Sequence, residues 1–150
     1  QQTFDRAIRY SRSFAVALCD IDYFKNYNDH LGHQIGDDAL RKVALILKSS
    51  GRLGDYVFRY GGEEFLVILP GQSIEKARLA MERRRKAVID ASIHHPSSDV
   101  AEHITISIGV AVFDRNIDDN VDVLVQRADA ALYKAKSDGR NRLVVHSSSE

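Results

Sequence analysis

Tyr56-Val57-Phe58-Arg59-Tyr60-Gly61-Gly62-Glu63-Glu64-Phe65-Leu66-Val67-Ile68-Leu69-Pro70-Gly71 holds two strand-like runs on either side of a pair of glycines. Before the glycines, Tyr56, Phe58 and Tyr60 alternate with Val57 and Arg59. After them, Phe65 to Leu69 is a continuous apolar run closed by Pro70-Gly71. Two strand-like runs joined by Gly-Gly predict a β-hairpin, because glycine accepts the positive φ of a tight turn without steric cost. A hairpin forces one antiparallel pair, so the fold class is α+β, with a mixed sheet and helices packed on it. Glu63 and Glu64 at the tip repel one another, and the hairpin gains nothing from them unless a cation sits there. The competing reading is a solvated acidic turn.

Outward from the hairpin, Phe14 to Cys19 is a short apolar run, the mark of a strand buried on both faces, and it ends in Asp20-Ile21-Asp22. If the strand persists that far, Asp20 and Asp22 share a face, since side chains alternate with period two. Residues 3–12 have helical spacing. Tyr23 to Asp37 reads as a short helix and a turn at Gly32. Leu40, Val43, Ala44 and Leu47 form an amphipathic stripe in a helix from Asp37 to about Ser50, where Asp37 suits the positive end of the macrodipole, and Gly51 stops it. Ser73 caps a helix to about Ala91, with Ile74, Ala77, Met81 and Val88 inward and Arg78, Arg83, Arg84, Arg85 and Lys86 on a basic outer face. Residues 92–102 read as a loop that leaves His94, His95 and His103 at the surface. Ile104 to Phe113 is strand-like. Val121 to Lys136 is a last helix with Leu124, Ala128, Ala131, Leu132 and Ala135 inward, stopped by Gly139, and Arg142 to His146 is a last strand. The order is β-α-α-β-β-α-β-α-β: a central, mainly antiparallel five-stranded sheet flanked by helices, in one domain over residues 1–150.

Lys plus Arg and Asp plus Glu are equal at 21 each, without the basic excess of a duplex-DNA binder, so no nucleic acid polymer is expected. A few local charges still suffice for a nucleotide. The single Cys19 gives no disulfide framework, which points to a reducing compartment. No apolar run approaches the roughly 18 residues that cross a bilayer. The expectation is a cytoplasmic domain without direct membrane insertion. Its start at Gln1-Gln2-Thr3-Phe4 suggests excision from a longer chain, through which it would be tethered to a sensor or a membrane.

Asp20 and Asp22 at a strand end, Glu63 and Glu64 at a hairpin tip, and Lys25, Lys136 and Arg140 nearby make a site for a hard divalent metal carrying a polyphosphate. Zinc is a poor second choice: His30 and His33 are spaced i, i+3, but Cys19 is strand-buried. No Walker-type loop is present, which excludes a P-loop ATPase. The arrangement suits nucleotidyl transfer.

These residues closely resemble the GGDEF domain, the catalytic domain of diguanylate cyclases. The matching motifs are Gly61-Gly62-Glu63-Glu64-Phe65, Asp20-Ile21-Asp22-Tyr23-Phe24-Lys25, Asn28-Asp29, Gly32-His33, Gly36-Asp37, Thr105 to Val110, Arg127-Ala128-Asp129, Tyr133 to Lys136 and Gly139-Arg140-Asn141. The resemblance implies a nucleotide-cyclase, polymerase-palm-like fold with the signature loop in the hairpin. It implies Mg²⁺ (Mn²⁺ as a possible substitute) held by Asp20, Glu63 and the Ile21 carbonyl. Glu64 would be either a further metal ligand or the group that helps deprotonate the attacking hydroxyl. Lys25, Lys136, Arg140 and the backbone N–H groups around Tyr23 and Phe24 would hold phosphates, beside Gly61 and Gly62. Asn28 and Asp37 would read the guanine edge, favouring GTP over ATP. Asp22 and Asp29 would be structural, orienting neighbours or capping the short helix, or part of the site. The helix-end cations Lys136 and Arg140 have a purely electrostatic alternative role.

Arg52-Leu53-Gly54-Asp55 matches the family's Arg-x-x-Asp inhibitory motif. Asp55 to Gly61 is six residues, about 20 Å of extended chain at roughly 3.3 Å each, so one nucleotide at the tip would not also lie at Arg52. By resemblance the cyclic product binds there as an inhibitor, with Arg83 as a further contact; the alternative is an ordinary surface Arg–Asp pair. The activity implied is condensation of two GTP into cyclic di-GMP and two pyrophosphates between two facing domains, which requires a homodimer. The alternative is a catalytically silent module that binds cyclic di-GMP or GTP. A family segment running from Thr-Gly-Leu to Asn-Arg-Arg is expected upstream of residue 1.

Overall fold

The computed structural model describes residues 14–146. The helix expected over residues 3–12 lies outside the described residues. The elements are β1 (Phe14–Ile21), α1 (Phe24–Leu31), α2 (His33–Ser49), β2 (Tyr56–Arg59), β3 (Glu64–Pro70), α3 (Ile74–Asp90), β4 (Ile106–Val112), α4 (Val121–Ser137) and β5 (Leu143–Val145). The five strands form one sheet in the order β2-β3-β1-β4-β5. Only β4 and β5 pair in parallel; the other three pairs are antiparallel. The mixed α+β sheet and the element order therefore match the expectation.

β1 is central, and all eight of its residues are buried. Ala15, Ala17, Cys19 and Ile21 face a core with Leu40, Val43, Leu47 and Met81. Phe14, Val16 and Leu18 face a second core with Leu66, Leu124, Ala128 and Leu132. By the two-residue period, Asp20 follows Leu18 onto the α4 face. Gly109 pairs with Leu18, and a Cβ on it would overlap the backbone at Ala128 and Leu132. Helix α4 thus lies directly on the β4 backbone, and its C-terminal cations arrive where β1 ends. Burial pushes the Cys19 thiol up to about 12, so it stays a neutral packing group.

Three local expectations are corrected. Helix α2 begins at His33, immediately after Gly32 at φ 91°. Asp37 therefore sits inside the helix, past its first turn, and has no privileged place at the macrodipole. The hairpin connection is a four-residue loop over 60–63, closed by Tyr60 N–H donating to the Glu64 carbonyl at 2.8 Å. Neither Gly61 nor Gly62 has a positive φ. Arg59 supplies what a tight turn would have supplied, donating to the Gly62 carbonyl at 2.6 Å and to Gly61 at 3.4 Å. On α3, Ser73 caps as expected, accepting from Lys76 N–H at 3.3 Å. Arg84, however, is not on the basic outer face. It is fully buried and fills the gap in the stripe Ala77, Met81, Val88.

Candidate functional site

In the β1–β3 register Asp20 lies opposite Glu64, and Ile21 N–H donates to the Glu63 carbonyl at 3.4 Å. Pairing of the two strands thus brings Asp20, Ile21, Glu63 and Glu64 to one end of the sheet. Asp20 is buried. Its Oδ2 accepts from the Lys136 ammonium, which reaches in from the last turn of α4. Its Oδ1 is buried with no hydrogen-bond partner. Burial pushes the Asp20 carboxyl up, while Lys136 and more weakly Arg140 pull it down. Glu63 and Glu64 are also pushed up, first by burial and then by the charge of Asp20, against Lys136. Asp129 on α4 adds to the negative charge around Glu64.

Three carboxylates against one ammonium, with a buried oxygen left unpaired, fit a hard oxygen-seeking cation. Among the described residues, no cluster of three His, Cys, Asp or Glu side chains forms a ready-made cage. In this arrangement Lys136 supplies the positive charge that Asp20 requires.

The turn from β1 into α1 borders this acidic group. Tyr23, the N-cap of α1, is left-handed at φ 55°, and no side chain caps the helix. With no acidic residue in the first turn either, the positive end of the helix carries no compensating side-chain charge or cap. The Arg140 guanidinium lies over the Tyr23 ring at 4.6 Å from its centroid. Phe24 is buried and anchors the turn. The Lys25 side chain is 86% exposed and pairs with Asp29 at 3.2 Å, touching neither Asp20 nor the glutamates. Asp29 is thus a surface partner of Lys25, worth under about 1 kcal/mol.

His95, expected at the surface, is buried. Its Nε2 lies 2.9 Å from the Tyr23 carbonyl, which only accepts, and Ser97 N–H donates to its Nδ1 at 3.3 Å. These partners assign the donor role to Nε2 and the acceptor role to Nδ1. The loop after α3 therefore clamps the strained turn at Tyr23. A histidine in a polar run beside Pro96 carries no periodic signal of that role.

Asp22 takes the structural course. It is buried and accepts from Thr105 Oγ1 at 2.7 Å, Ser107 Oγ at 2.6 Å and Asn141 N–H at 3.0 Å. Asn28, on α1, has a buried Oδ1 without a hydrogen-bond partner, and a Cβ at Gly36 would overlap it. Asp37 follows Gly36 on α2 and is exposed. A buried acceptor left unpaired is costly, so Asn28 is suited to a donor brought by a ligand.

A second group forms at the other end of β2. Arg52, Asp55 and Arg83 line one pocket of about 240 Å³, with Gln72, Lys76 and Arg84. Arg52 donates to the Pro70 carbonyl at 2.7 Å, and the Gln72 amide oxygen, oriented to satisfy its neighbours, accepts from it at 2.6 Å. The Asp55 side chain is 2% exposed and pairs with Arg84 at 2.9 Å. Arg84 also donates from Nε to the Leu47 carbonyl at 2.7 Å, in the last turn of α2. Gly51 has a second duty besides ending α2: a Cβ there would overlap the Arg84 guanidinium. Asp55 Oδ1 has no hydrogen-bond partner but lies 3.6 Å from Arg52 Nη2, and its Oδ2 also accepts from Arg52 N–H at 3.2 Å, so the simple Arg52–Asp55 pair is present and is backed by the buried Arg84. The signal that could have found it is the stripe position left vacant between Met81 and Val88, although that spacing admits Arg84 or Arg85 alike.

A family model described as the diguanylate cyclase GGDEF domain matches residues 1–142. Diguanylate cyclase A of Treponema denticola is 42% identical over 133 residues, which is 89% of this chain and 35% of that protein. The active GGEEF domain of a diguanylate cyclase from Vibrio cholerae superposes with a TM-score of 0.83 at 33% identity, covering 98% of this chain and 91% of that one. The GGDEF domain of DgcB from Caulobacter crescentus, solved in complex with c-di-GMP, gives 0.85 at 32% identity, covering 97% and 84%. The chain spans roughly a fifth to a third of the length of the curated relatives it matches. No described helix is long and apolar enough to cross a membrane.

Proposed function

The chain belongs to the GGDEF family of diguanylate cyclase domains, and from that premise we propose that it condenses two GTP into cyclic di-GMP. The observation that carries the reading is the pairing of Asp20 with Glu64 across β1 and β3, with Asp20 Oδ1 buried and unpartnered. Each nucleotide's 3′-oxygen forms a bond to the α-phosphorus of the other. The bond from that phosphorus to the β-phosphate bridge breaks, and two pyrophosphates leave with the displaced electron pairs. One chain holds one GTP, so turnover takes place between two facing copies.

Asp20, Ile21 through its carbonyl, Glu63 and Glu64 would hold Mg²⁺ or Mn²⁺, which when bound offsets polyphosphate charge and lowers the pKa of a coordinated hydroxyl. Glu64 would either join that set or take the proton of the 3′-hydroxyl. Lys136, Arg140 and the opening N–H groups of α1 meet the phosphates, and Lys25 is free to swing to them from solvent. Gly61 and Gly62 keep the loop low beside the nucleotide. Asn28 and Asp37 present acceptors to the N1–H and N2 amino donors of guanine, a pairing that adenine lacks and that leaves groups unpaired with the wrong base.

The test is incubation with GTP and Mg²⁺, using the chain fused to a dimeriser, with cyclic di-GMP and pyrophosphate measured by chromatography. Two pyrophosphates per cyclic dinucleotide are expected. No product under forced dimerisation overturns the reading and leaves a module that binds GTP or cyclic di-GMP.

The pocket at Arg52, Asp55 and Arg83 is the second site, where cyclic di-GMP binds and inhibits. Three exposed cations, Arg52, Lys76 and Arg83, suit its phosphates, and Asp55 Oδ1, which accepts no hydrogen bond and lies 3.6 Å from Arg52 Nη2, suits a guanine donor. Arg52→Ala is expected to raise the concentration of cyclic di-GMP needed for half-inhibition about tenfold or more, the size of a lost charge-assisted contact. Unchanged inhibition would show that the second site is misassigned.

A further inference from the structure

Arg140 and Asn141 are consecutive non-glycine residues with left-handed backbones, at φ 65° and 48°. Such residues are strained and persist only where their surroundings hold them. The surroundings here are specific. Arg85 of α3 spends Nε and Nη2 on Glu82, both at 2.7 Å, which leaves Nη1 aimed away from its own helix. That Nη1 donates to Asn141 Oδ1 at 2.8 Å and to the Asn141 carbonyl at 3.2 Å. From the other side Asn141 N–H donates to Asp22 Oδ2, itself tied to Thr105. Arg140 N–H closes on the Ala135 carbonyl at 3.0 Å, and its guanidinium then lies over Tyr23.

We propose that Arg85 is a positioning residue for phosphate binding: through Asn141 it locks the left-handed turn after α4 and so fixes the aim of Arg140. The proposal rests on the reading that Arg140 meets nucleotide phosphates. Arg85 itself touches no substrate. Its 15% exposed side chain is planar, forked and braced by Glu82, so it holds one orientation where a lysine would not.

The test is calorimetric titration of the whole chain with 3′-deoxy-GTP, which cannot attack a second nucleotide, and with guanosine, which has no phosphates. Arg85→Met is expected to weaken 3′-deoxy-GTP about tenfold, as for residues that orient a binding group without touching the ligand. Guanosine affinity should not change, which a general loss of structure would not achieve. Arg140→Ala is the reference, and Arg85→Met combined with it should cost no more than Arg140→Ala alone, because both act through one contact. Asn141→Gly removes the shorter of the two bonds from the other side, leaves only the 3.2 Å bond to the carbonyl and frees the backbone at this position, and it should also weaken 3′-deoxy-GTP and spare guanosine; it serves if Arg85→Met does not fold. If Arg140→Ala weakens 3′-deoxy-GTP but neither Arg85→Met nor Asn141→Gly does, the positioning role is overturned while the phosphate reading stands. If Arg140→Ala has no effect, the phosphate reading falls and the positioning role with it.

Discussion

Glu63→Gln is expected to lower the rate of cyclic di-GMP formation by about a hundred- to a thousandfold, the usual loss when one preorganised electrostatic contact to a reacting centre is removed. Glutamine keeps the size of the side chain and one carbonyl acceptor but gives up the charge on which the proposed cation site depends. The fold should not suffer. Glu63 is held in place by its backbone carbonyl, which accepts from Ile21, and its carboxyl is pushed up by burial and by the charge of Asp20. The folded state already disfavours the ionised form there, so a neutral replacement relieves repulsion. The metal-free thermal midpoint should hold or rise while activity collapses, a stability–activity trade-off of the kind common at such sites. Activity near that of the parent would show that Glu63 is not part of the proposed cation site.

Arg84→Met is expected to destabilise the domain by about 3 kcal/mol in denaturant titration, because it takes the buried cation from a buried carboxylate and leaves it only Arg52, through its N–H at 3.2 Å and its half-exposed guanidinium at 3.6 Å. Arg84 is fully buried, Asp55 nearly so, and the Leu47 carbonyl at the end of α2 takes its hydrogen bond from the same guanidinium. Methionine fills comparable volume and suits a position beside Met81, so packing loss is small and the under-compensated Asp55 charge dominates. Arg84→Met combined with Asp55→Asn should recover much of the loss, since replacing both charges leaves only a neutral amide to satisfy. A loss below about 1 kcal/mol for Arg84→Met would mean that Asp55 finds other compensation. The same variant bears on inhibition, because Arg84 is the group that keeps the Asp55 carboxylate in the second pocket.

By itself the sequence determined the architecture and the identity of the acidic group. The apolar run from Phe14, the hairpin around Gly61-Gly62 and the stripes at Leu40–Leu47 and Leu124–Ala135 are periodic signals, and periodicity survives without knowledge of any partner element. Asp20, Glu63 and Glu64 were legible because carboxylates at strand ends and hairpin tips have no local structural use. Contacts between residues distant in the chain were decided only by the tertiary structure. The pairing of β1 with β3 put Asp20 against Glu64, and the close approach of α4 over Gly109 delivered Lys136 to Asp20. Arg83, Arg84 and Arg85 look alike in sequence. Each step of about 100° around α3 sends them to different surroundings: Arg83 to the second pocket, Arg84 to buried Asp55 and Arg85 to Asn141. Sequence pattern reports which face a residue occupies, whereas its hydrogen-bond partner is a property of the packed neighbour. The Gly-Gly pair of the hairpin shows the same division: its place between two strands was plain, but Arg59, not a positive φ, holds its loop closed.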